Sequence, residues 1–205
     1  MKMPEGIVQI PGTTAHCYSL ELDGKSYLID AGMRSSARKI IQYFREVGKK
    51  PDSVLITHYH PDHIGGLSEI VRVFSPDVYA PDEEISVITG KARIKPAKSV
   101  LSRMIAGVSR IEPVEDVKPV SSLSVPGINV VPTHGHTPGS TSYFVEGTRA
   151  IFVGDAIVKK GSEISVNKAF TLNYNEALIS KEKILSLKPA LILPGHGNLI
   201  SFDGS

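Results

Sequence analysis

The stretch Thr57-His58-Tyr59-His60-Pro61-Asp62-His63 decides how this chain is read. It follows Val54-Leu55-Ile56, a short apolar run that reads as a buried strand, so four side chains of metal-ligand type arrive together where a strand ends. His58 and His60 are two residues apart. On extended backbone both point to one side, with origins roughly 7 Å apart, and can close on a single ion. Pro61 turns the chain, and Asp62 with His63 then opens a helix that lets this second pair face a neighbouring ion. A lone His would read as a surface or capping residue. Four such groups crowded behind a buried strand would cost solvation for no gain unless they share a ligand.

Outward from that stretch, Asp23-Gly24 reads as a two-residue hairpin turn between two alternating apolar runs, Ala15 to Leu22 and Lys25 to Asp30. Ser35 to Val47 carries Ile40, Ile41, Phe44 and Val47 at helical spacing, and Gly48 stops it. A helix is predicted over Asp62 to Phe74, with Ile64, Leu67, Ile70, Val71 and Phe74 on one stripe and Asp62 as its cap, followed by a strand near Val78-Tyr79-Ala80. Pro96 starts a further helix whose apolar stripe is Val100, Leu101, Met104, Ile105 and Val108. The second half repeats the order: strands at Ile128 to Val131, Thr141 to Val145 and Ala150 to Val153, a helix at about Asn175 to Leu187, then Ala190 to Leu193. Strands followed by helix, twice, predict an α/β protein of two packed sheets with helices outside.

At 205 residues the chain fits one domain, residues 1–205, built as two similar halves. No apolar run approaches the roughly 18 residues of a membrane span, so no membrane partner is expected. Residues 1–6 lack the apolar core and cleavage site of a secretory leader, which makes the cytoplasm the expected location. The single cysteine, Cys17, excludes an internal disulfide and a Cys-rich metal site, so any metal falls to His and carboxylates. A net charge of +2 is too small to argue for nucleic acid. The charge is uneven, however, because residues 91–110 hold six Lys or Arg and no acid.

Three more motifs follow in order: Gly135-His136-Thr137-Pro138-Gly139-Ser140, Phe152-Val153-Gly154-Asp155 and Pro194-Gly195-His196-Gly197. With the first motif, and with Tyr27-Leu28-Ile29-Asp30-Ala31-Gly32 near the amino terminus, the chain resembles the metallo-β-lactamase superfamily from about residue 15 to 197. The resemblance implies that superfamily's four-layer αβ/βα sandwich. It implies two divalent metal ions, zinc first, with iron or manganese as alternatives. His58, His60 and His136 would hold the first and Asp62, His63 and His196 the second, with Asp155 bridging them; Asp62 and Asp155 are then the catalytic carboxylates. Asp30 and Thr57 are candidates for orienting the ligand histidines from behind. His16 and His134 are left outside the ligand set.

A water shared by two divalent cations loses a proton near neutral pH and becomes a nucleophile, while the ions polarise the scissile group and steady the leaving atom. The expected activity is therefore hydrolysis of a small anionic thioester or ester, as in glyoxalase II. That enzyme shares the seven ligands, but it adds a helical carboxyl-terminal domain and carries an Arg-containing pattern after the bridging Asp, where this chain has Ala156-Ile157-Val158-Lys159-Lys160-Gly161. Glutathione itself is thus not the expected handle. Lys159 and Lys160 are candidate partners for a substrate carboxylate or phosphate. Lactone-opening relatives often carry Tyr where Val158 stands; Tyr59 or Tyr174 replaces it only if the fold brings one close. A lactonase, a phosphodiesterase, a persulfide dioxygenase with one iron and a non-catalytic metal-binding module are the alternatives.

Overall fold

The computed structural model describes residues 3–96, 111–161 and 163–202. The helix read after Pro96, with its basic flank, lies outside them. The chain divides into two compact units, one formed by the chain up to Arg93 with residues 111–122, the other by Leu123 onward.

The first unit is a six-stranded sheet in sequence order: β1 (Ile7–Gln9), β2 (Tyr18–Leu22), β3 (Lys25–Ile29), β4 (Ser53–Leu55), β5 (Asp77–Ala80) and β6 (Lys118–Pro119). β1, β2 and β3 pair antiparallel, and the Asp23-Gly24 turn has positive φ at both residues (51° and 75°), as a tight hairpin requires. β3 to β6 are parallel, so the chain must cross over between them. α1 (Arg34–Glu46) makes the first crossover and buries Ala37, Ile40, Ile41 and Phe44. Val47 is the C-cap and is 46% exposed, so it is not part of that stripe.

The second crossover departs from the sequence reading. Instead of one helix from Asp62 to Phe74, the structure has α2 (Pro61–Ile64) and α3 (Leu67–Phe74), separated by Gly65-Gly66. The cause is close backbone approach. Ile64 bridges to Gly32, and the N–H groups of Ala31 and Gly66 donate to the carbonyls of His63 (2.6 Å) and Gly32 (3.0 Å). A Cβ at Gly66 would lie 2.4 Å from the Ala31 carbonyl oxygen, and one at Gly65 2.5 Å from that of Pro61. Nor does Asp62 cap the helix: His60 is the N-cap, Pro61 takes the first helical position, and no side chain caps the end.

After β5 come a 3₁₀ turn over Asp82–Glu84 and the short α4 (Ile85–Ile88). The second unit holds a five-stranded sheet. β7 (Ile128–Pro132), β8 (Thr141–Val145) and β9 (Ala150–Gly154) form an antiparallel meander. β12 (Leu191–Pro194) lies parallel to β9, and β13 (Ile200–Ser201) closes the edge. The connection from β9 to β12 contains a separate hairpin, β10 (Val158–Lys160) with β11 (Glu163–Ser165), and then α5 (Tyr174–Ser186). α5 begins at Asn173, whose side chain accepts from the Glu176 N–H. Ala177 and Ile184 from α5 pack on Ile151, Val153 and Ile192 of the sheet. The short strands β1, β10, β11 and β13 carried too few residues to show a period of two in the sequence.

Among the described residues no helix is long and apolar enough to cross a membrane. The Gly65-Gly66 junction gives the first prediction. Gly66→Ala forces a Cβ against the Ala31 carbonyl and is expected to lower the unfolding free energy by about 1–3 kcal/mol, the usual cost of overpacking, read by urea denaturation. An unchanged midpoint would show that the turn after β3 yields freely.

Candidate metal centre

Parallel strands present their carboxyl ends on one side of a sheet, and that is where the ligand-type residues of the first unit collect. β3 ends at Ile29 and delivers Asp30; β4 ends at Leu55 and delivers Thr57 to His63. Asp30 is 2% exposed and stands at φ +58°, a left-handed conformation that costs a non-glycine residue roughly 1–3 kcal/mol. Its carboxylate takes three donors. Oδ1 accepts the Thr57 N–H at 2.8 Å, while Oδ2 accepts the Thr57 hydroxyl at 2.7 Å and His63 Nδ1 at 2.7 Å. Asp30 and Thr57 thus contact His63 and His58, two of the histidines read as ligands in the sequence.

These bonds choose tautomers. With its only proton directed to Asp30, Thr57 Oγ1 is an acceptor for His58 Nδ1, 3.0 Å away. His58 therefore turns Nε2 forward, and His63, donating from Nδ1, does the same. His58 Nε2 lies 3.0 Å from Nδ1 of His60, and the His58 ring centroid is 4.7 Å from that of His60 and 4.1 Å from that of His63. Asp62 and His63 each bring a ligand atom within 4.8 Å of the other.

Tyr59 lies between the first two histidines with its side chain buried, and its N–H donates to Glu84 Oε2 at 2.5 Å. Glu84 was not singled out in the sequence, where Pro81-Asp82-Glu83-Glu84 looks like any acidic turn. The one available signal was an acid set three residues before the apolar pair Val87-Ile88.

In the second unit, Gly135 precedes His136 because nothing larger fits. Its φ is +123°, and a Cβ there would stand 2.3 Å from the Ala177 nitrogen of α5. The same loop is tied to α5 by the Asn173 N–H to the Gly135 carbonyl (2.9 Å) and the Ser180 hydroxyl to the His134 carbonyl (2.7 Å). Thr137 and Ser140 close the following turn, with the Thr137 N–H on Ser140 Oγ at 3.0 Å. His134 thus serves through its backbone, and neither it nor His16 belongs to a cluster of ligand atoms among the described residues. His16 Nδ1 instead meets the Tyr18 hydroxyl at 3.3 Å.

Asp155 and His196 follow the adjacent parallel strands β9 and β12, whose ends are joined by the Gly195 N–H on the Gly154 carbonyl at 2.7 Å. Nε2 of His136 and Nε2 of His196 each stand 3.6 Å from Asp155 Oδ2. That is longer than a hydrogen bond and close to the separation, about 3.3 Å, of two ligand atoms bonded to one tetrahedral ion at 2.0–2.1 Å. His136 is buried and His196 is more than one-third exposed, so access to solvent in this unit comes from the His196 side.

The donor set of imidazole nitrogens and carboxylate oxygens, without thiolate, fits zinc, iron or manganese. A model of the metallo-beta-lactamase superfamily matches residues 10–196. The chain belongs to that superfamily. It is 30% identical to the probable metallo-hydrolase YflN of Bacillus subtilis (strain 168), covering 94% of this chain and 84% of that protein. Among solved structures, the chain resembles the di-iron-bound form of TTHA1623 (TM-score 0.75, 24% identity, 95% of this chain and 93% of that one). It resembles the B3 metallo-beta-lactamase BLEG-1 to the same TM-score at 27% identity, with the same coverage. The expected fold class is borne out, and the family together with the His/Asp clusters implies divalent metal ions.

Two predictions follow from Asp30. Asp30→Ala strands the His63 and Thr57 donors and is expected to cost about 1–3 kcal/mol for each buried donor left without an acceptor, measured by urea unfolding. The second concerns Cys17, whose thiol is pushed up by burial first and by the Asp30 charge second. A proton held more tightly in the folded state than in the unfolded one stabilises the fold below the ordinary thiol range, and that stability is lost as pH rises through the folded value. Stability should therefore fall as pH climbs past about 8.5. Cys17→Ala should flatten that slope, and an unchanged slope would assign it to other groups.

Proposed function

We propose that this protein is a metal-dependent hydrolase using two divalent ions, with His58, His60 and His136 on the first, Asp62, His63 and His196 on the second, and Asp155 on both. The observation that carries this reading is the position of Asp155 Oδ2, equidistant at 3.6 Å from Nε2 of His136 and of His196, the disposition expected of a carboxylate shared between two ions. The forward-facing Nε2 atoms of His58 and His63, fixed from behind by Thr57 and Asp30, support it. Bound ions would supply Lewis acidity and a water made nucleophilic near neutral pH. The chain's own residues do the positioning: Asp30 keeps the His63 ring from rotating, Thr57 does the same for His58, and the Asp155 charge would offset repulsion between bound cations. Zinc suits the imidazole-rich set, and the di-iron form of TTHA1623 keeps iron as a second candidate.

The proposed substrate is a small thioester or ester bearing an anionic group. Lys159 and Lys160 are exposed on the β10–β11 hairpin, which begins three residues after Asp155. That hairpin also flanks the loop of His196, since a Cβ at Gly197 would stand 3.7 Å from the Lys159 carbonyl oxygen. Two ammonium groups beside a solvent-accessible ligand suit an incoming carboxylate or phosphate.

Metal content tests the centre. Wild type reconstituted with Zn²⁺ is expected to hold two ions per chain, with His58→Ala and Asp155→Ala each losing at least one; a wild type that holds none sinks the proposal. For the substrate, a panel of anionic and neutral thioesters, lactones and phosphodiesters is compared in wild type and Lys159→Ala/Lys160→Ala. The expected result is KM raised about tenfold for the anionic thioester alone, the effect of roughly 1.4 kcal/mol. Oxygen uptake with a persulfide, in place of hydrolysis, would move the activity to the dioxygenase alternative.

A further inference from the structure

We infer that Glu84 is a positioning residue for the His58–His60 pair, its carboxylate fixing the peptide between the two histidines and thereby the affinity and geometry of the ion they hold. The inference rests on the metal-centre reading above and extends it to a residue outside every recognised motif. Glu84 has no solvent exposure, and a carboxylate removed from water is tolerated only when donors surround it. It is delivered by a tight turn, the Glu84 N–H closing on the Pro81 carbonyl at 2.9 Å directly after β5. Its Oε2 takes the Tyr59 N–H at 2.5 Å, in the short range of charge-assisted bonds.

The position of that N–H matters. It belongs to the peptide joining His58 to Tyr59, so holding it constrains ψ of His58 and φ of Tyr59, two of the dihedrals that set how His58 and His60 stand to one another. Two residues earlier, the Thr57 N–H is held by Asp30 at 2.8 Å. Residues 57 and 59 are therefore both clamped through their N–H groups by buried carboxylates, while residues 58 and 60 carry the imidazoles. Asp30 accepts from the His63 ring itself, while the Glu84 bond is to the main chain. An apolar side chain would fill a buried site with less desolvation, so a carboxylate at this position points to the bond it makes rather than to packing.

The test uses the full chain as wild type, Glu84→Ala, Glu84→Asp, Glu84→Gln and His58→Ala. Zn²⁺ affinity is measured by chelator competition, the Co²⁺-loaded absorption spectrum is recorded, and the metal-free melting temperature is followed alongside. Glu84→Ala is expected to weaken the tighter site about 10- to 100-fold and to shift the Co²⁺ bands. Glu84→Gln, which keeps a carbonyl acceptor in place, should restore both. Glu84→Asp falls short by one methylene and serves if the alanine variant does not fold; it is expected to weaken binding with the metal-free melting temperature kept. Wild-type affinity and spectrum in Glu84→Ala or Glu84→Asp, or no rescue by glutamine, overturn the inference. If His58→Ala loses metal while the Glu84 variants do not, this inference alone fails; if wild type binds no metal, both readings fail.

Discussion

The first unit depends on one buried carboxylate. Asp30 sits where β3 ends, in a backbone conformation that disfavours any residue with a Cβ, and its two oxygens gather the Thr57 N–H, the Thr57 hydroxyl and the His63 ring. An ionised carboxylate away from water is costly unless every lone pair it presents is met by a donor. Here the donors come from the chain following the next strand, 27 and 33 residues on. Satisfying Asp30 therefore joins two strand ends and selects the ring orientation of His63, and through Thr57 that of His58. The same junction explains the interrupted helix. For His63 to reach Asp30, the chain after it must pass against the turn at Ala31-Gly32, and only a pair of glycines leaves room.

The second unit places its ligand-type residues through strand ends and loop packing. β9 and β12 are parallel neighbours, so Asp155 and His196 emerge side by side. His136 is held by a loop sewn to the start of α5, at a glycine whose missing side chain lets the two backbones touch. Rigid placement of this sort is what a metal centre or a catalytic group requires, since a ligand that must be ordered on binding gives up part of its affinity to that ordering.

Membership of the metallo-beta-lactamase superfamily accounts for the ligand-type residues and not for what is hydrolysed. Selectivity has to come from parts beside the ligand-type residues. The β10–β11 hairpin with Lys159 and Lys160 lies next to Asp155 and the His196 loop, which is why it carries the proposed selectivity. The Tyr59 side chain is buried, and Tyr174 opens α5 with Lys168 5.3 Å from its ring.

The sequence alone determined the family, the ligand types and most of the elements. His58 and His60 at a spacing of two after Val54-Leu55-Ile56, the turn glycines of Asp23-Gly24 and the apolar stripe of α1 are local patterns, and local sterics and periodicity are written in the order of residues. Tertiary structure decided what depends on distant partners. The helix after His63 breaks because Ala31 and Gly32, more than thirty residues earlier, press against it; Asp62 is not a cap because Pro61 takes the first helical position. Glu84 meets the Tyr59 N–H because β5 lies beside β4 and the turn after β5 carries the acid there. A motif records which atoms are available to a site. Which way each ring faces is fixed by hydrogen bonds to residues far away in the chain, and those contacts leave no period in the sequence to read.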